Sequence, residues 1–191
     1  MFDEYDMFLI GIGEEFEEKE NASQAYEGLK KIIDGKNYFI VSLCMDDRIY
    51  DAGFDEGRIV TPLGGKRFKQ CPDACTHDIY ESSKLVCPNC GKELVFNNIL
   101  QENYVEEGYL PQWEKHKKWI SGTLNHKLLV LELGVSLRFP QIIRWPFERI
   151  TMINEKSHMI RVNETIPQIN AEISERAESV RQSSVEWATL L

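Results

Sequence analysis

Apolar and polar positions alternate along this chain between two rhythms. Short apolar runs mark strands buried on both faces: Met7-Phe8-Leu9-Ile10, Tyr38-Phe39-Ile40-Val41, Ile59-Val60 after Arg58, and Leu128-Leu129-Val130-Leu131, while Met159-Ile160-Arg161-Val162 reads as a last strand. Between them the apolar residues recur every three or four positions. Ala25, Tyr26, Leu29, Ile32 and Ile33 predict a helix within 22–36 that ends near Gly35, and Trp113, His116 and Ile120 share one face of a second helix. A third is expected to open at Pro140 and carry Ile142, Ile143, Phe147 and Ile150. Beyond Pro167, the gaps of three, four or seven between Ile169, Ile173, Ala177, Val180, Trp187 and Leu191 describe a C-terminal amphipathic helix. Strand, helix, strand at this spacing means parallel crossovers, with the run at 128–131 central as the most apolar. The pattern predicts an α/β fold with a parallel sheet and helices on both faces.

At 191 residues and 42% hydrophobic content, the chain fits one domain, or one domain with a small insert. Its formal charge of -9 argues against a nucleic-acid partner, since phosphate contacts need clustered Lys and Arg. No apolar stretch approaches the roughly 20 residues of a membrane span. The start, Met1-Phe2-Asp3-Glu4, is acidic where a signal peptide is basic, so a cytoplasmic protein with reduced thiols is expected.

Against that background the cysteines stand out. Cys71, Cys75, Cys87 and Cys90 are separated by three, eleven and two residues. Two such pairs can close a tetrahedral four-sulfur shell around one zinc ion. Cys87-Pro88-Asn89-Cys90-Gly91 adds a turn-forming Pro and a Gly that lets backbone amides approach a thiolate. Free thiols or two disulfides are the competing readings. With no position open to water, the ion would hold structure rather than do chemistry.

Other candidates lie where apolar runs end. Gly11-Ile12-Gly13 follows the first, as a phosphate-binding turn would, but lacks the third glycine of a dinucleotide fingerprint. Glu14, Glu15, Glu17 and Glu18 come next, and carboxylates repel phosphate, so a self-capped, solvated turn competes with a phosphate site. Gly134 and Ser136 follow the 128–131 run at the sheet edge where open parallel sheets bind ligands.

Taken in order, these motifs resemble the sirtuins. The likeness rests on Asn37 to Val41, Asp46 with Ala52-Gly53-Phe54-Asp55, the Cys87 to Gly91 knuckle, Tyr104-Val105-Glu106, Glu132 to Val135, Pro140 to Phe147, and Val162-Asn163. It covers nearly the whole chain and is nearest to the class M sirtuins, linked to macrodomains and lipoylated carrier proteins. The resemblance implies a single Rossmann-type domain over 1–191 with a zinc-ribbon module inserted at 66–100. It also implies a nicotinamide dinucleotide at the carboxyl edge of the sheet, with deacylation or ADP-ribosyl transfer as the reaction. Gly11, Gly13, Asp46, Gly134, Ser136 and Asn163 are the residues it assigns to NAD or ADP-ribose. Gly134 can equally serve a strand-to-helix turn, and Asn163 can cap a strand end.

The family's working parts are incomplete here. Sirtuins carry Thr-Gln-Asn-hydrophobic-Asp after the second strand; this chain has Ser42-Leu43-Cys44-Met45-Asp46, so only the Asp remains and Cys44 replaces the Asn. The general-base His, a Gln in class M, is matched by Gly64-Gly65, and His77, His116, His126 and His158 lie elsewhere. The long cofactor loop is missing between Gly13 and Ala22. A binding module without turnover, for an adenine dinucleotide, ADP-ribose or a protein, is one expectation. An active NAD-dependent deacylase or ADP-ribosyltransferase using Asp46 or Cys44 is another, although a free Cys at a strand end is commonly a small buried apolar residue. A structural subunit whose pocket is filled by side chains is the third.

Overall fold

The computed structural model describes residues 2–191. In chain order the elements are β1 (Met7–Ile12), α1 (Glu15–Glu18), α2 (Ala22–Ile33), β2 (Asn37–Ser42), α3 (Arg48–Asp51), β3 (Ile59–Val60), β4 (Gly64–Gln70), β5 (Tyr80–Glu81), β6 (Val95–Asn98), α4 (Leu110–Ser121), β7 (Leu128–Leu133), α5 (Arg144–Ile153), β8 (His158–Val162), β9 (Ala177–Val180) and α6 (Ser184–Thr189). Six strands form one sheet in the order β3-β2-β1-β7-β8-β9, and every pairing in it is parallel. A second, antiparallel sheet of order β5-β4-β6 is built from the stretch around the cysteines. Among the described residues no helix is long and apolar enough to cross a membrane.

The unbroken apolar runs have the expected cause, because β1 and β7 are buried at every position. Alternate side chains serve opposite faces. Phe8, Ile10, Ile12, Leu129, Leu131 and Leu133 pack with Ala25, Tyr26 and Leu29 of α2 and Val185 of α6. On the other face Leu9, Val41, Leu128 and Val130 meet Phe147 of α5 and Ile143 just before it, with Trp113 and Trp119 of α4 at the margin.

Two predicted helices are corrected. The one expected to open at Pro140 begins at Arg144. Pro140 and Ile143 precede it in a turn, their carbonyls accepting from Trp145 N and Phe147 N at 2.9 and 2.8 Å. Pro146 falls in the first turn, where a missing N–H costs nothing. The C-terminal helix does not exist as one element: Ile173 lies in a 3-10 segment, Ala171–Arg176, Ala177 and Val180 in the edge strand β9, and Trp187 in α6, while Ile169 and Leu191 lie outside all three. The periodicity was shared by all three. What overrides it is the open edge of β8, which β9 pairs, and Ser183, whose hydroxyl caps α6 by accepting from Glu186 N at 3.4 Å.

Charge inside the sheet is the feature the apolar pattern hid. Glu132 of β7 and Arg161 of β8 are register partners. Arg161 donates from Nε and Nη2 to the two oxygens of Glu132 at 2.7 and 2.8 Å, and from Nη1 to Glu148 at 2.8 Å. Arg144 reaches Glu132 at 3.3 Å and the carbonyls of Ile166 and Gln168 at 3.0 and 3.2 Å. The network ties the irregular stretch after β8 to the sheet.

Removing one partner of such a pair strands a buried charge, so Arg161→Met is expected to cost about 3–5 kcal/mol in urea denaturation. The double variant Arg161→Met with Glu132→Gln should lose less than the sum of the single losses; strict additivity would show that the two side chains do not interact. His116, packed against Phe39 and Trp113 at ring separations of 5.2 and 5.1 Å, has neither ring nitrogen hydrogen-bonded. Burial pulls its pKa from 6.5 to about 4. The unfolded chain therefore takes up this proton first, and stability that is complete above the ordinary histidine pKa is lost as pH falls toward the folded value. The loss amounts to about 3 kcal/mol. His116→Phe should remove that part of the acid slope, and an unchanged slope would place it elsewhere.

Candidate functional site

The four cysteines converge. Their sulfurs lie within 4.8 Å of one another, with Cys71–Cys90 and Cys75–Cys87 separations of 3.5 Å. A tetrahedral ion with sulfurs at about 2.3 Å spaces them about 3.8 Å apart, so the donor set fits zinc. Gly91, at φ 75°, closes the second knuckle, its amide donating to Cys87 O at 3.0 Å. Backbone N–H groups of Cys90 and then Asn89 point at the Cys87 thiol and draw its pKa down to about 6, toward the thiolate a metal requires. Around the sulfurs the apolar cluster consists, among the described residues, of Cys71, Cys87 and Leu94 with Tyr80 against it. So small a core needs a staple.

The second candidate region is the carboxyl edge of the large sheet. Gly13 and Gly134 meet there, Gly13 N donating to Leu133 O at 2.8 Å, and a Cβ on Gly13 would come within 2.1 Å of Gly134 O. Gly134, Ser136 and Asn163 line a cavity of about 270 Å³ together with Glu14, Glu15 and Glu18. Gly11 lies inside β1, under α5, where a Cβ would strike Ile143 and Phe147 at 2.5 and 2.7 Å. Its smallness serves helix packing.

The polar groups of this edge are already engaged. Glu14 accepts from Ser136 N and Oγ at 3.2 and 2.8 Å. Glu15 accepts from Ser183 Oγ at 2.6 Å and from Ser184 Oγ and N at 2.7 and 3.2 Å. Glu17 accepts from Met45 N at 3.2 Å. Asn163 donates to Val135 O at 2.9 Å and accepts from Ile166 N at 2.9 Å, joining the ends of β7 and β8. The run after Gly13 is thus a bonded, half-buried segment rather than a solvated turn.

Asp46 holds Arg48, accepting from its Nε and, at 3.1 Å, from its backbone N. Arg48 in turn grips the acidic segment through the carbonyls of Phe16, Glu17 and Lys19 at 2.6, 2.9 and 2.9 Å. Cys44 is buried and its Sγ–H donates to Gly13 O at 3.3 Å. Burial pushes its pKa up to about 12, which keeps the thiol protonated. Gly64 and Gly65 open β4 beside another cavity, of about 240 Å³, bounded by β4, α3 and the start of α4. Over Gly65 lies Asp47, whose Oδ1 would sit 2.2 Å from a Cβ there. Its Oδ2 accepts from the amides of Lys66 and Arg67, and burial raises its pKa. Sequence reasoning passed over Asp47, whose left-handed backbone, φ 65°, has no local signature. It also missed Ser183, although Ser183-Ser184-Val185-Glu186 carries a capping-box pattern.

This architecture, a parallel six-stranded sheet with helices on both faces and a small cysteine-bearing sheet, is the sirtuin fold. Among solved structures, one described as the structural basis for sirtuin substrate affinity aligns with a TM-score of 0.64, covering 98% of this chain and 92% of its own at 14% identity. A Sir2 with a p53 peptide and NAD+ aligns with a TM-score of 0.61 over 98% of this chain and 92% of its own, at 12% identity. At such identities the likeness is one of fold. No family model matches the chain. A relative in Staphylococcus aureus, a protein ADP-ribosyltransferase, is 25% identical over 174 residues, which take in 80% of this chain and 55% of that protein. The chain spans about half the length of that relative.

If the sulfurs hold zinc, Cys87→Ser or Cys90→Ser should each lower the content from one ion per chain and loosen the 71–90 segment in hydrogen exchange, leaving β1, β2 and β7 protected. Retention of a full equivalent by both variants would exclude the four-thiolate site.

Proposed function

We propose that this chain is a zinc-stabilised binding module of the sirtuin fold, one that takes an adenine dinucleotide or ADP-ribose without turning it over. The observation that carries this reading is the state of the two groups left to do chemistry. The Cys44 thiol is buried and protonated, and the Asp46 carboxylate is occupied by Arg48. Neither is presented as a nucleophile or base, and Gly64-Gly65 offers no side chain. A positioned base is worth about 10²- to 10⁴-fold in rate, so turnover without one should be slight. The cavity beside Gly134, Ser136 and Asn163 is the place for the adenosine side of the ligand. We take residues 1–191 as one Rossmann-type domain with the zinc module at 66–100, of class M affinity, acting in the reducing cytoplasm. Its acidic surface favours a protein partner over nucleic acid.

One finding favours a second reading. The Staphylococcus aureus relative is a protein ADP-ribosyltransferase, and an active enzyme of that kind would use Asp46.

Incubation with NAD and measurement of free nicotinamide separates the two. The module reading expects release no faster than in a protein-free blank. Release above that blank, abolished by Asp46→Ala, would establish the enzyme instead.

A further inference from the structure

The segment after Gly13 is bonded across the edge where the ligand is expected and is anchored beneath it. Glu14 takes both donors of Ser136, at 3.2 and 2.8 Å. Glu15 takes the hydroxyls of Ser183 and Ser184, at 2.6 and 2.7 Å. Glu17 takes the amide of Met45 at 3.2 Å. From below, Phe16 is fully buried with its ring 5.4 Å from that of Tyr26. Arg48 holds three consecutive-turn carbonyls, those of Phe16, Glu17 and Lys19.

We infer that Glu14–Lys19 is a latch that closes the crevice against diphosphates, with Arg48 as the residue that holds it and Asp46 positioning Arg48. The inference rests on the nucleotide-binding reading above and adds the regulation of that site. Two effects act together. The carboxylate of Glu14 consumes the Ser136 donors that an incoming anion would need. The charges of Glu14 and Glu15 also repel a diphosphate at the rim of a cavity walled by protein, where screening is weaker than in bulk water.

The latch is built to be releasable. It contains one helix of four residues, α1, and the segment's last two residues, Glu18 and Lys19, are exposed although they also border the cavity. Its clamp is reachable by solvent, the Arg48 side chain being 29% exposed and its Asp46 partner 16%. The Arg161–Glu132 pair at the sheet centre is 0% exposed on both sides. Of these two guanidinium clamps, the one holding the latch is the one a partner or solvent can loosen.

The test is calorimetric titration with ADP-ribose and, in parallel, with adenosine, which carries no phosphate. The proteins are wild type, Glu14→Gln/Glu15→Gln and Arg48→Ala, each checked for one zinc and for its Tm. The glutamines keep the shape and hydrogen-bonding reach of the carboxylates, guarding against simple misfolding. The latch predicts that the double variant binds ADP-ribose roughly tenfold or more tighter than wild type, while adenosine changes by less than about twofold. Arg48→Ala should tighten both ligands, since it frees the segment itself. If wild type binds ADP-ribose as tightly as the folded variants do, the latch is wrong and the nucleotide reading survives. If no folded protein, Arg48→Ala included, binds ADP-ribose, both the latch and the nucleotide reading fall.

Discussion

A bidentate ion pair with no solvent exposure on either side chain, Arg161 with Glu132, sets what the right half of this sheet can be. Two opposite charges on register-paired residues of adjacent parallel strands fix the β7–β8 alignment, since a slip of one residue would leave both buried and unpaired. Through Arg144 and Glu148 the same network positions α5, and through the carbonyls of Ile166 and Gln168 it sets the path of the chain after β8. That path forms one wall of the cavity at the carboxyl edge, which Thr165 and Ile166 line. The geometry of the candidate site is therefore inherited from a charge pair that never meets a ligand.

Five strands of the large sheet and the first long helix were legible because burial on both faces writes itself locally, as in the apolar runs Met7 to Ile10 and Leu128 to Leu131. The cysteine cluster was legible because its ligand spacing is local too. What was not legible depended on distant partners. Nothing in the run around Arg161 announces its partner, Glu132 of β7, 29 residues away. The glutamates after Gly13 could be recognised as hostile to phosphate, yet not as bonded, since Ser136 lies 122 residues on and Ser183 lies 168. At the C-terminus the spacing of Ile173, Ala177 and Val180 fitted a helix. The unpaired edge of β8 decided otherwise, a tertiary demand that no window of sequence contains.

The two halves of the molecule are stabilised differently, and the difference bears on function. The large sheet has two apolar layers, one on each face, and its buried charges are matched. The three-stranded sheet carries four sulfurs and very little apolar burial. Asp47 links them, its carboxylate reaching from the start of α3, in the connection after β2, to the amides of Lys66 and Arg67 near the start of β4. A carboxylate bound to two amides is thereby set beside the cavity at the start of β4. Its role there as a brace accounts for the glycine beneath it, since any side chain at position 65 would collide with it.

One device recurs at both edges of the sheet, an arginine whose guanidinium collects carbonyls at helix ends and in the connecting chain. Arg48 does this for residues 16, 17 and 19, Arg144 for 166 and 168, and Arg176 for 151 and 154. A guanidinium suits the task because its planar set of N–H donors serves several acceptors at once and keeps its charge at any physiological pH. The strength of each clamp follows from what surrounds it. Arg144 and Arg161 act within a buried network, where losing one member exposes the others to an uncompensated charge. Arg48 has a single, partly exposed carboxylate partner, so opening it sacrifices one water-accessible ion pair and a few hydrogen bonds that solvent can replace. A chain that needed the segment after Gly13 permanently fixed could have buried its clamp in the same way. Placing it at the surface keeps closure of the crevice and stability of the sheet as separate properties.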